Sequence, residues 1–258
     1  MTIIRPSFSR RALLAGATAA VAGGTLLPDQ TRAESAPMLN YPAPLRDPAE
    51  YIAYVPTVSK TGPFYHYSCE FDASWAILKT FGIDTTMQEQ LALLTIDTRI
   101  EPYYEWTDFG VNIYGGDITS AYSGDYTWNF LCRTTGPVMR QVFQHYGLYT
   151  KVIKSQQRIK NHLNRGRLVW IKITVDFKDW TPATWITPEG ELIQVVLSND
   201  HAMVVIGYND EVVVIRDLLG PTDTNYERQY EAEVPWDRFM ACWGAQGNDG
   251  LSVGLPDS

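Results

Sequence analysis

The stretch from Asn199 to Asp217, NDHAMVVIGYNDEVVVIRD, constrains this chain more than any other. Two β-branched apolar runs, Ala202 to Ile206 and Val212 to Ile215, flank the turn signal Asn209-Asp210, so the stretch reads as one hairpin. A loop of Asn209, Asp210 and Glu211 sets Tyr208 opposite Val212. His201 then faces position 219, and Asp217 lies diagonally across from it on the same face. A two-residue loop without a bulge would put the two side chains on opposite faces. A histidine held by a carboxylate is half of a nucleophilic triad.

The other half has to be a nucleophile elsewhere, and YHYSCEFDASWAILKTFG from Tyr65 supplies a candidate. Ser68 is a suitable cap for a helix carrying Phe71, Trp75, Leu78 and Phe81 and stopping at Gly82. Cys69 then lies in the first turn, where free backbone N–H groups and the helix dipole favour thiolate and can stabilise an oxyanion. Glu70 and Asp72 act against this, because like charge raises a thiol pKa. Taken alone, Cys69 reads equally as a small buried hydrophobe, and His201 as a satisfied core histidine. The pairing with Asp217 tips both toward chemistry.

On these residues the chain resembles the papain-like cysteine peptidases of family C39, the bacteriocin-processing, double-glycine-leader enzymes, and their secreted relatives. SCEFDASWAILKTFGIDTTMQEQLALL is similar to the family's nucleophile helix followed by a short helix opening at a capping box, Thr86 to Glu89. YGGDITSAYSGDYTWN, TGPVMRQVFQHYGL, RLVWIKITV, DHAMVVIGYNDEVVVIRDLLGP and VPWDRFMACW then follow in the family's order, from about Tyr54 to Trp243. The resemblance implies an α+β papain-like fold, with N-terminal helices packed on an antiparallel sheet. It implies Cys69 as nucleophile, His201 as general base and Asp217 as the residue that orients it. It also implies a peptide or protein substrate and no cofactor.

The family carries a glutamine about six residues before the nucleophile as an oxyanion donor, whereas Pro63 stands here and no glutamine occurs between Asp47 and Cys69. A lost oxyanion donor costs about 10²- to 10³-fold in rate. Candidate replacements are His66, Ser68 and Tyr65, together with the Cys69 backbone N–H; His66 reads equally as a surface residue. The missing glutamine keeps a second class open, a catalytically silent peptide- or glycan-binding module on the same fold. Amidase or transamidase chemistry would use the same three residues.

The other end of the chain reads as an address. Arg10-Arg11 precedes a weakly apolar Ala/Gly-rich run, Ala12 to Leu27, and a small-residue cleavage region ends near Ala33. Residues 1–33 are expected to be a twin-arginine export signal, engaging that translocase and leaving a periplasmic or extracellular product without a stable membrane anchor. The signal holds four arginines and one aspartate, so its removal takes the net charge from −8 to −11. Such acidity argues against a nucleic-acid partner.

Residues 34–53, rich in proline, read as an extended segment, and 54–258 as one domain. Helices are expected from Gly136 to Tyr146, ended by Gly147, and from Ser155 to Asn164, ended by Gly166; a strand is expected over Leu168 to Val175. Glu101 to Trp128, aromatic and without clean periodicity, reads as a long loop, either substrate-facing or merely covering. The four histidines show no i, i+4 pairing and no Cys-x-x-Cys occurs, so no metal site is expected. With Cys69 as a free thiol, Cys132 and Cys242 either form a disulfide or stay buried.

Overall fold

A computed structural model of the chain describes residues 45–58, 62–221, 226 and 228–256. The export-signal reading, and the N-terminal segment up to residue 44, lie outside the described residues. The described part begins with Arg46 and Tyr51 anchored on Glu233: the Tyr51 hydroxyl donates to its Oε1 across 2.6 Å and Arg46 Nε lies 3.2 Å from its Oε2.

Helices α1 (Cys69–Thr80) and α2 (Met87–Ala92) come first, after the short strand β1 (Ala53–Tyr54). Strands β2 (Ile96–Asp97), β3 (Tyr103–Thr107), β4 (Gly110–Tyr114) and β5 (Tyr122–Ser123) follow. Then come α3 (Gly136–His145), β6 (Tyr149–Ile153), α4 (Gln156–Leu163), β7 (Leu168–Thr174), β8 (Pro182–Ile186) and β9 (Leu192–Val196). The chain closes with β10 (Asp200–Tyr208), β11 (Val212–Arg216), β12 (Glu231–Pro235), α5 (Trp236–Gly244) and β13 (Gly250–Gly254).

The main sheet runs β12-β11-β10-β7-β13-β6, with β1 added along β10, and every neighbouring pair is antiparallel. Both faces are covered, which is why the interiors of β7, β10 and β11 are apolar apart from Lys172 instead of alternating. On one face Ala202, Val204, Ile206 and Trp170 pack with Phe71 and Ile77 of α1 and Val138 and Phe143 of α3. On the other, Met203, Val205, Ile171 and Ile173 pack with Ile159 and Leu163 of α4 and Phe239 and Trp243 of α5. Successive residues of a strand point to opposite faces, so each central strand feeds both cores. This is the expected α+β, papain-like arrangement.

The helix boundaries follow local chemistry. Thr86 and Glu89 form the expected capping box, Glu89 N–H to Thr86 Oγ1 and Thr86 N–H to Glu89 Oε2. Gly82 takes a φ of 81° one residue past Phe81, the α1 C-cap, and Gly147 and Gly166 do the same work beyond α3 and α4.

The region expected as a loop from Glu101 to Trp128 holds three paired strands, β3, β4 and β5. β3 and β4 form a hairpin, and β4 runs parallel to β8, which pairs with β9, giving a second, four-stranded sheet. The strand signal is obscured because aromatic side chains sit on exposed positions: Tyr103 stacks on Tyr114 at 5.1 Å, and Trp106 and Phe109 lie open to solvent. Ile113, Trp185 and Val195 form a small core of their own.

Candidate active site

The β10–β11 hairpin turns one register tighter than Tyr208 facing Val212. Tyr208 pairs with Val213, and the Asn209 N–H donates to the Val212 carbonyl at 3.0 Å, which leaves Asp210 and Glu211 between them; Asn209 Oδ1 accepts the N–H groups of Glu211 and Val212, each at 2.9 Å. A register shift between Val205 and Gly207 removes the one-residue offset, so Val205 pairs with Ile215 and Val204 with Arg216. Continued outward, that register sets Asp217 opposite Met203 and diagonal to His201. The bulge thus restores the same-face placement that the loop alone would have broken.

His201 and Asp217 do meet. Imidazole Nε2 lies 2.8 Å from Asp217 Oδ1, with both residues buried. Asp217 Oδ1 also accepts the Leu219 N–H at 2.9 Å, and its Oδ2 pairs with the fully buried Arg228. Arg228 Nε in turn lies 3.2 Å from Asp176 Oδ1. Burial works to raise the Asp217 pKa, but the neighbouring His201 and Arg228 outweigh it and bring it down to about 2. Asp217 is therefore ionised at neutral pH and holds the Nε2–H tautomer, which leaves Nδ1 as the basic nitrogen.

Cys69 opens α1 as its first residue, half-buried, on the helix that packs against β10 and β7. Its Sγ donates to Glu70 Oε2 across 3.2 Å. Burial, then the Glu70 carboxylate, push the thiol well above its usual value. The thiolate expected from the helix terminus is thus overridden, because desolvation and an adjacent carboxylate exceed the dipole of a first turn. Among the described residues no hydrogen bond joins Cys69 to His201. His201 takes the alternation phase of Met203 and Val205, while Asp200 and Ala202 point toward α1.

Glu70 is fixed by Lys172, whose Nζ lies 2.7 Å from Glu70 Oε1 and 2.8 Å from Asp200 Oδ2. Asp200 also pairs with Arg133 Nη2 at 3.0 Å. Burial alone would lower the Lys172 pKa, but Asp200 and Glu70 raise it, so the lysine stays charged. The Trp170 indole N–H donates to the Glu70 carbonyl at 3.1 Å and ties the start of α1 to β7. The sequence reading missed this cluster. Its one visible signal was Lys172 itself, a cation inside the apolar run RLVWIKITV.

The oxyanion candidates divide. Ser68 Oγ lies 2.6 Å from Asp72 Oδ2 and 2.9 Å from the Tyr65 carbonyl and makes no cap bond to the helix. Its single proton is committed there, so its hydroxyl is a structural link and not a spare donor. His66 is exposed and lies edge-on against the Tyr67 ring at 4.5 Å. Cys132 and Cys242 are both free thiols, one in each core on opposite faces of the main sheet, so the disulfide alternative is not realised.

A family model described as the Peptidase C39 like family matches residues 52–251. No curated protein matches the chain. Among solved structures, the chain is similar to a crystal structure described as a C39-like peptidase from Bacillus anthracis. The two share 18% identity and a TM-score of 0.57 over 81% of this chain and 98% of that one, a likeness of fold.

Proposed function

Because the chain belongs to the C39-like peptidase family, we propose that it is a cysteine hydrolase acting on peptide or isopeptide bonds through Cys69, His201 and Asp217. The observation that carries this reading is the buried His201 Nε2 to Asp217 Oδ1 contact of 2.8 Å, on the sheet that supports the Cys69 helix. Asp217 fixes the tautomer and stabilises the imidazolium that forms, leaving Nδ1 to take the thiol proton. The thiolate then attacks the carbonyl carbon, the C–N bond breaks as the imidazolium gives its proton to the leaving amine, and water, giving a proton to the imidazole, hydrolyses the thioester and restores the thiol. The developing oxyanion falls to backbone N–H groups at the start of α1, since Ser68 is committed elsewhere.

In this reading the resting thiol is a protonated reserve. His201 lies on the face of the main sheet opposite the Cys69 helix, so in this reading Sγ has to leave Glu70 and reach the His201 face before Nδ1 can take its proton. Export through the twin-arginine route, with action outside the cytoplasm, completes the proposal.

The test is a defined pool of peptides incubated with the chain and analysed by mass spectrometry. Cleavage by the wild type that vanishes in Cys69→Ser and His201→Ala supports the reading. Intact peptides that are nonetheless retained by the wild type would favour the binding module instead.

A further inference from the structure

Outside the proposed triad, one cavity of about 330 Å³ opens where the start of α3 and strand β9 meet the end of the main sheet. Its apolar wall includes Ile193 and Val195, and its polar wall includes Arg133, Lys154, Lys172 and Asp249. Arg133 is 2% exposed. Its Nη2 is occupied, donating to the Val196 carbonyl at 3.0 Å and pairing with Asp200 at 3.0 Å. Among the described residues its Nε and Nη1 have no hydrogen-bond partner. The guanidinium is held in place by the Trp185 ring, 5.7 Å beneath it.

A buried, permanently charged group with two unmet donors is costly, and it is ordinarily satisfied by an acceptor. We infer that this cavity binds a monocarboxylate with an apolar tail, its carboxylate on the free donors of Arg133 and its tail along Ile193 and Val195. Asp249 bears on the choice of anion. Its carboxylate accepts the Gly136 N–H at 2.9 Å, and burial lifts its pKa to about 6 against Lys172 and Lys154, with Asp200 adding to the rise. With Glu191, Asp249 gives the wall two carboxylates, which disfavour a dianion such as phosphate, whereas a singly charged acid tolerates them. The inference does not depend on Cys69 being a nucleophile.

Isothermal titration of the whole chain with hexanoate, and with hexanamide as its neutral isostere, tests this. Saturable binding of hexanoate, with hexanamide at least tenfold weaker, is expected. Arg133→Met should abolish the difference. Should that variant fail to fold, Thr119→Trp, at the exposed rim, should weaken hexanoate at least tenfold with the melting temperature unchanged. N-acetyl-alanyl-leucine and its C-terminal amide separate the sources. Tighter binding of that peptide acid than of hexanoate identifies a peptide C-terminus, and the reverse order a free organic acid. Equal binding of hexanoate and hexanamide, no binding of hexanoate, or hexanoate binding unchanged in either folded variant would overturn the proposal.

Discussion

Cys69 Sγ lies 3.2 Å from the carboxylate of its sequence neighbour Glu70, and that carboxylate is itself clamped 2.7 Å from Lys172 Nζ. The thiol is therefore held by an acceptor that opposes its ionisation. Glu70→Gln removes the charge while Lys172 remains, so the Cys69 pKa should fall. A fall of one unit multiplies the thiolate fraction at neutral pH about tenfold. The rate of alkylation of Cys69, followed against pH, checks this; an unchanged profile would show that burial alone sets the pKa.

Asp217 is the second point of leverage. Asp217→Asn takes the charge from the imidazole and should lower kcat/KM by about 10²- to 10⁴-fold. It also deprives the buried Arg228 of one of its two carboxylates. Asp176 remains beside it, so the stability loss should stay below about 3 kcal/mol. Peptide hydrolysis and urea unfolding on one preparation separate the two effects.

The His201–Asp217 relationship was legible because two strands of β-branched residues and an Asn-Asp turn fix a diagonal within narrow limits. The register of the turn was not, since the Asn209–Val212 closure and the compensating bulge are backbone details that residue type does not encode uniquely. Helix starts and stops were readable at Thr86, Gly82 and Gly147 because each depends on one local bond or one positive φ. Glu70, Lys172, Asp200 and Arg133 meet from four segments far apart in the chain, so only the folded sheet reveals their cluster. The β3–β4 hairpin was hidden for another reason: its exposed aromatics break the alternation that marks a half-buried strand.

Asp249 should make stability depend on pH. Its folded pKa, about 6, is raised above an unfolded value of about 3.9. A raised carboxyl contributes stability that is fully present below the unfolded value and is lost as pH rises through 6. The loss amounts to about 3 kcal/mol. Asp249→Asn keeps an acceptor for the Gly136 N–H and should flatten this part of the curve. Urea midpoints between pH 4 and 7.5 would show it, and parallel curves for the two proteins would contradict it.

The core on the α1 face predicts its own cost. Phe71 is fully buried and lies 5.4 Å from the Tyr122 ring, so Phe71→Ala should destabilise by about 3–5 kcal/mol. Three titratable thiols should appear on unfolding without reductant, since Cys132 and Cys242 are unpaired.

The central claim is that Cys69 is a nucleophile served by His201. The most direct measurement is covalent labelling of the native chain by a peptidyl acyloxymethyl ketone, with the modified residue located by mass spectrometry. The account predicts one adduct, on Cys69 and not on Cys132 or Cys242, and its loss in a folded His201→Ala variant. Absence of an adduct in the wild type, or labelling of Cys69 at the same rate without His201, would contradict it.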